Sequence, residues 1–92
     1  MSEVEIKEKV KYQVLYFLKE YLGIDWSYDD NKSFFESEKI EVRDIVWLFV
    51  WIVRENNLVI KRLKYFNNDV SVRGFAEYFY EVLKDENCCC DR

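Results

Sequence analysis

Residues 45–53 read IVWLFVWIV, nine consecutive side chains whose only polar groups are two indole N–H groups. A helix of a small domain needs an apolar stripe only about 100° wide to face its core, so a helix through this run would be apolar on every side. The run is far shorter than the roughly 20 apolar residues that span a bilayer, and Asp44 and Arg54 flank it. We therefore expect a deeply buried helix, or a helix with one face kept for another molecule.

The composition predicts a single helical domain without a catalytic centre. Ninety-two residues suffice for one modest core, and a chain that is 50% hydrophobic is too apolar for disorder. The absence of proline and the presence of only two glycines favour helices over a turn-rich β-fold. A net charge of −4 argues against nucleic acid as a ligand. With no histidine, the chain lacks the usual proton shuttle and the commonest metal ligand, so we expect no enzymatic activity, cofactor or metal.

Hydrophobic spacing predicts three main helices. The first covers about 4–22 and stops at Gly23. The second covers about 42–56 and contains the apolar run. The third follows Ser71 as its N-cap, and a short helical turn is expected within 58–70. The predicted inward residues of the first helix are Val10, Val14, Phe17, Leu18 and Tyr21. Those of the third helix are Val72, Phe75, Ala76, Phe79, Val82 and Leu83.

Residues 25–39 are polar and without a helical period, which indicates a long loop. We expect Trp26, Phe34 and Phe35 to pin this loop to the domain. Two phenylalanines of the loop and two of the last helix are assigned to the core: Phe34, Phe35, Phe75 and Phe79.

The domain is predicted to end near residue 84, and residues 85–92 are predicted to be a flexible tail. The tail contains the three cysteines of the chain, Cys88, Cys89 and Cys90. Adjacent cysteines seldom pair in an unstrained disulfide, and their spacing differs from the C-x₂-C of common metal sites. We expect reduced thiols. The first residues, MSEVEIKEKVKY, lack the apolar segment of a signal peptide, which predicts a cytoplasmic protein with no membrane span.

The order of long helix, long loop, helix, short turn and helix resembles the acyl carrier protein family over about residues 4–84. Asn31-Lys32-Ser33-Phe34 is similar to the N-A-S-F loop element of that family. Ile45, Val46 and Leu48 are similar to the apolar positions of its T-V-E-L stretch, and Asp69-Val70-Ser71-Val72 to its I-T-T-V opening of the last helix. The resemblance implies an all-α, carrier-like four-helix bundle made of three main helices and one short helical turn.

One departure from the family concerns its chemistry. Carrier proteins attach 4′-phosphopantetheine to the serine of D-S-L at the start of the second helix, and the matching residues here are Glu41-Val42-Arg43. Valine has no hydroxyl, so no phosphodiester can form at Val42. The chain is therefore similar to acyl-carrier-related proteins of peptide-maturation systems that lack the serine. The alternative is a true acyl or peptidyl carrier modified at Ser37, the nearby hydroxyl in Glu36-Ser37-Glu38.

The resemblance also implies which side of the second helix faces outward. Ordinary carriers dock their enzymes through an acidic face there, whereas the corresponding positions of this chain are aromatic and basic. We expect a protein or peptide partner, such as a peptide-modifying enzyme or its precursor peptide, to bind five residues: Arg43, Trp47, Val50, Trp51 and Arg54. Tryptophan and arginine are the residues most enriched at interface hot spots. Two alternatives stay open, because the tryptophans could instead be core residues or the interface of a homodimer.

Overall fold

The structure, a computed structural model, describes residues 2–26 and 30–90, and for Arg62 and residues 85–90 it describes the backbone only. Three α-helices and two single 3-10 turns make up the regular structure, and the described residues contain no β-strand. The helices are α1 (Glu3–Leu22), α2 (Val42–Glu55) and α3 (Val72–Cys90). The 3-10 turns are Phe34–Glu36, between α1 and α2, and Ile60–Arg62, between α2 and α3. The predicted all-α class is confirmed, and the predicted loop 25–39 contains a 3-10 turn that the sequence did not indicate.

Both ends of α1 follow from local hydrogen bonding. The Ser2 hydroxyl accepts a hydrogen bond from the Glu5 N–H at 3.2 Å and caps the first turn. At the other end Gly23 takes a left-handed conformation with φ 68°, which only glycine adopts without a steric cost. The Ile24 N–H then donates back to the Leu18 carbonyl at 2.9 Å. The predicted stop at Gly23 is confirmed.

The ends of α2 are also closed locally. The Glu41 N–H donates to a carboxylate oxygen of Asp44 at 3.0 Å, so the helix start has a side-chain acceptor. At the C-terminal end Asn57 has a positive φ of 56°. Its N–H donates to the Arg54 carbonyl, and the Leu58 N–H donates to the Val53 carbonyl, which is the Schellman ending of a helix. The helix therefore stops at Glu55, one residue before the predicted boundary.

The core lies where the three helices meet, with α1 packed chiefly against α3 and also against α2. From α1 and α2 the buried core residues are Val10, Val14, Phe17, Leu18, Leu48, Ile52 and Val53. From α3 they are Val72, Phe75, Ala76, Tyr78, Phe79 and Val82. The predicted inward stripe of α3 is confirmed, with Leu83 half-buried at its end.

Two predicted core residues lie at the surface. Tyr21 is exposed because it sits on the outer side of the last turn of α1, where its ring covers Phe17 at a centroid distance of 5.0 Å. Phe35 is 49% exposed, whereas its neighbour Phe34 is fully buried. Both belong to the same three-residue 3-10 turn, and consecutive side chains of such a turn point in different directions. Only one of the two rings can therefore enter the core.

The loop between α1 and α2 is tied to the start of α3. Trp26 and Phe34 are buried, with ring centroids 5.2 Å apart, as the sequence predicts for the pinning of this loop. The Phe34 N–H donates to the Val70 carbonyl at 2.9 Å, and the Arg73 N–H donates to the Asp30 carbonyl at 3.0 Å. These bonds fix the position at which the chain enters α2.

The start of α3 requires two particular residues. The hydroxyl of the buried Ser71 accepts a hydrogen bond from the Gly74 N–H at 3.0 Å, which confirms the predicted N-cap. A Cβ atom at Gly74 would lie only 1.8 Å from the Asp69 carbonyl oxygen. Glycine at this position therefore lets the 69–71 turn lie directly against the helix.

The segment between α2 and α3 is anchored by a buried tyrosine. Tyr78 is 2% exposed, and its hydroxyl donates to the Lys64 carbonyl. Its ring also packs against Phe66 at a centroid distance of 4.9 Å. Burial removes the phenol from water and raises the pKa of Tyr78 above its ordinary value of 10.0.

We expect the α3 stripe to dominate stability. Phe79→Ala deletes a fully buried ring and should lower the free energy of unfolding by about 3–5 kcal/mol. The control Glu81→Ala on the same helix removes only an exposed ion pair with Lys84 and should cost about 0.5 kcal/mol or less. Urea denaturation followed by circular dichroism measures both, and equal losses would contradict the orientation of α3.

The raised pKa of Tyr78 predicts a pH dependence of stability. As pH rises past 10.0, the unfolded chain loses the phenol proton before the folded protein does, so the free energy of unfolding falls. Below about pH 10, Tyr78→Phe should be about 1 kcal/mol less stable than wild type because the Lys64 carbonyl loses its donor. That difference should shrink as pH rises above the ordinary phenol pKa of 10.0. Urea denaturation at a series of pH values measures it, and a difference that does not change with pH would contradict the assignment, since every other ionisable group is the same in both proteins.

Candidate docking surface

The nine-residue apolar run is divided between the core and the surface. Leu48, Ile52 and Val53 are fully buried, and they fix which side of α2 faces α1 and α3. On the opposite side Trp47 is 69% exposed, Val46 55% and Val50 36%. The helix is therefore partly buried, and it presents an apolar side to solvent.

The two tryptophans of α2 lie in different surroundings. Trp51 is half-buried, and its ring stacks on Tyr16 at a centroid distance of 5.9 Å and an interplanar angle of 16°. It also contacts Phe17 at 5.6 Å. Trp47, one turn earlier, has most of its ring in solvent. The core alternative for the two tryptophans thus applies in part to Trp51 and does not apply to Trp47.

Tyrosines of α1 extend this apolar surface. Tyr12 and Tyr16 are exposed and stack on each other at 6.3 Å. Tyr21 meets the edge of Trp51 at 6.1 Å. We call the resulting surface the aromatic face, and its members are Tyr12, Tyr16, Tyr21, Val46, Trp47, Val50 and Trp51. The sequence analysis placed Tyr21 in the core and did not assign Tyr12 or Tyr16, although the i, i+4 spacing of these two is a signal that they share one side of α1.

Two grooves, each of about 470 Å³, open on the aromatic face. The first runs along α2, and its lining is Val46, Trp47, Val50, Trp51, Arg54 and Glu55. The second lies between α1 and α2, and its lining is Lys9, Tyr12, Gln13, Tyr16, Tyr21, Trp51 and Glu55. Trp51 borders both grooves and thereby joins them into one surface.

Arginines stand at both ends of the exposed side of α2. Arg43 is exposed, and its Nε lies 2.8 Å from a carboxylate oxygen of Glu41. Arg54 is also exposed, and no ion pair or hydrogen bond joins its side chain to the described residues. Four of the five residues predicted to contact a partner, namely Trp47, Val50, Trp51 and Arg54, line the first groove. Arg43 lines a separate cavity that it shares with Trp47.

A larger cavity of about 620 Å³ lies between α1 and α3, but its three cations, Lys7, Lys11 and Arg73, are already paired with carboxylates. Lys7 lies 2.7 Å from a carboxylate oxygen of Glu3, and Lys11 lies 2.8 Å from one of Asp30. The hydrogen bonds to these carboxylates raise the pKa of Lys7 and of Lys11. Because its cations are already bound by carboxylates of the same chain, this cavity is a weaker candidate for a ligand site.

The positions that bear on a prosthetic group lie away from the grooves. Val42 is the exposed first residue of α2 and carries no hydroxyl. The Ser37 hydroxyl accepts a hydrogen bond from the Lys39 N–H at 3.3 Å, and Ser37 lines none of the cavities described above. The backbone of α3 extends to Cys90, but the side chains of Cys88, Cys89 and Cys90 lie outside the described residues, as do residues 91–92 of the predicted tail.

The described residues contain no group of three or more histidine, cysteine, aspartate or glutamate side chains placed to hold a metal ion. None of their helices combines the length and the apolar character needed to cross a membrane.

No protein-family model, curated protein or solved structure matches this chain.

Truncating the two tryptophans separately should give different results. Trp47→Ala removes a ring that is mostly in solvent and should change the free energy of unfolding by about 0.5 kcal/mol or less. Trp51→Ala removes the stacking on Tyr16 and the contact with Phe17 and should cost about 2 kcal/mol, between the values for surface and core aromatic residues. Thermal melts measure both effects. A large loss of stability in Trp47→Ala would show that its ring is part of the core.

Proposed function

We propose that this protein is a non-catalytic interaction module that binds a protein or peptide partner through the aromatic face. The observation that carries the proposal is the exposure of Trp47 beside Val46 and Val50, at a groove along α2. Scattered exposed apolar residues are ordinary, whereas contiguous apolar patches on small proteins usually mark interaction sites. A tryptophan in such a patch can bury a large area when a partner covers it.

The way in which α2 is fixed in the fold favours binding through the aromatic face. α2 is capped at both ends, and its inner side is fixed by Leu48 and Ile52. The Asn56 amide adds a bond to the Gln13 side chain at 3.0 Å, which links α2 to α1. Binding therefore needs little ordering of the backbone, and ordering is one of the main costs of association.

The chemistry of the face supports binding over catalysis. Its seven members are aromatic or aliphatic, a composition that supplies contact area, as in the cores of protein interfaces. General acid–base catalysis is carried most often by histidine, and the chain contains none.

We also propose that the chain carries no prosthetic group, since Val42 occupies the position at which the carrier family has its serine. From the same resemblance we propose a carrier-like bundle that acts in the cytoplasm on a peptide-maturation pathway. The partner would then be a peptide-modifying enzyme or its precursor peptide. Ser37 remains the position to test for a true carrier, but no feature of its surroundings favours modification there.

Comparative capture from a lysate of the source cells tests the use of the face. Trp47→Ala combined with Val46→Ser should lose a protein or peptide that the wild type retains, because the apolar area covered by the partner is gone. The matched controls are Tyr65→Ala and Val4→Ser, which remove exposed residues that line neither groove. Quantitative mass spectrometry of the retained material measures the difference.

The controls decide the interpretation of that capture. They should retain the same partner as the wild type, since they leave the aromatic face intact. Identical retention by the wild type and the Trp47→Ala/Val46→Ser variant would contradict the proposed function. A thermal melt of each variant separates lost binding from lost folding.

A further inference from the structure

The exposed side of α2 carries a regular row of residues. Arg43, Trp47, Val50 and Arg54 follow one another at spacings of four, three and four. At 3.6 residues per turn they fall within about 60° of one another around the helix and span about 16 Å along its axis. All four are exposed. The row therefore has two apolar residues at its centre and a cation at each end.

The apolar residues on this side of α2 suit packing against another helix. Trp47 and Val50 are three positions apart, and Val46–Val50 and Trp47–Trp51 are each four apart. Apolar residues that alternate at intervals of three and four form the contact line between paired helices. The described residues contain no strand, so no sheet edge is available there to take up an extended peptide. The first groove runs beside the row and is bordered by Trp51 and Glu55, which gives a helix lying along α2 a second wall.

The charges at the ends of the row select among the possible helices. A second copy packed antiparallel, with Trp47 opposite the second Val50, would place Arg43 opposite Arg54. A parallel copy would place each arginine opposite its own equivalent. Like charges placed face to face disfavour both arrangements. A helix with carboxylates at these two points would instead have an arginine partner at each end.

The ion pair of Arg43 with Glu41 does not block this arrangement. Both side chains are largely exposed, and exposed ion pairs contribute little net stability. The pair also uses only Nε of the guanidinium in the contact described, so the terminal nitrogens can face a second carboxylate. Arg54 has no competing pair within the described residues.

We propose that the aromatic face binds an amphipathic helix of its partner, in which two acidic residues about eleven positions apart flank an apolar stripe. This inference rests on the proposed function and adds the chemistry of the partner. The acidic residues face Arg43 and Arg54, and the apolar stripe covers Trp47 and Val50. The charge pairs set register and orientation, and the apolar contact supplies most of the affinity.

Two synthetic helical peptides of about five turns test the proposal. They share one leucine stripe and differ only at the two flanking positions, which are glutamate in one and lysine in the other. Fluorescence anisotropy of the labelled peptides should show at least about tenfold tighter binding of the glutamate peptide at low salt. The preference should weaken in high salt, because these exposed charges are screened.

Charge reversal on the protein provides the matched control. Arg43→Glu with Arg54→Glu should reverse the preference between the two peptides. Lys39→Glu with Lys61→Glu makes the same change in net charge at exposed positions outside the row, and it should keep the original preference. Equal effects of the two double variants would mean that only the overall charge matters, which would overturn the proposed pairing.

The remaining outcomes separate this inference from the proposed function. If Trp47→Ala weakens both peptides equally and the wild type does not distinguish them, the face binds helices but the acidic flanks are wrong. If neither peptide binds up to about 1 mM, the weak end of specific recognition, the proposed helical partner is overturned. The capture experiment then decides whether the aromatic face binds any partner. A concentration-dependent dimer in sedimentation, abolished by Trp47→Ala, would identify a second copy as the occupant and overturn the inference.

Discussion

The rotation of α2 about its own axis is the constraint on which the rest of the structure depends. Nine consecutive apolar residues offer several stripes that could face a core, yet a helix packed on one side can bury only one of them. Burial of Leu48 and Ile52 selects that stripe. The selection simultaneously places Trp47 on the outside and brings Trp51 against the rings of α1. The surface that we propose for binding is therefore a direct consequence of how the core is filled.

That rotation is held by contacts beyond α2 itself. The buried rings of Trp26 and Phe34 fill the space beneath the loop that leads into α2. The Phe34 N–H also donates to the Val70 carbonyl, so both connections of α2 meet near the start of α3. At the far end, the Asn56 amide bonds Gln13 of α1. Because both ends are fixed to other elements, α2 has no freedom to turn its exposed side inward.

The sequence predicts the elements well and the surface only in part. Short-range signals such as the glycine stop at Gly23 and the Ser71 cap locate the helix boundaries, because capping depends on a few neighbouring residues. Periodicity also identifies the stripe of α3. Periodicity does not predict which side of α2 is buried, since the run is apolar on every side of the helix. The prediction that Phe35 and Tyr21 are core residues is wrong for a related reason. Their exposure depends on the geometry of a turn and on neighbours from a distant part of the chain. The difference in exposure between Trp47 and Trp51 is therefore visible only in the packed structure.

The arginines at the ends of the exposed row oppose self-association, to which an exposed apolar surface is prone. An apolar side of a helix can pair with its own copies, and such pairing competes with any other partner. Arg43 and Arg54 place like charges together in either direction of self-pairing along the row, which opposes it. The same two cations attract a helix that carries carboxylates at the matching points. Under the proposal, one pair of side chains thereby disfavours self-pairing along the row and favours the acidic helix.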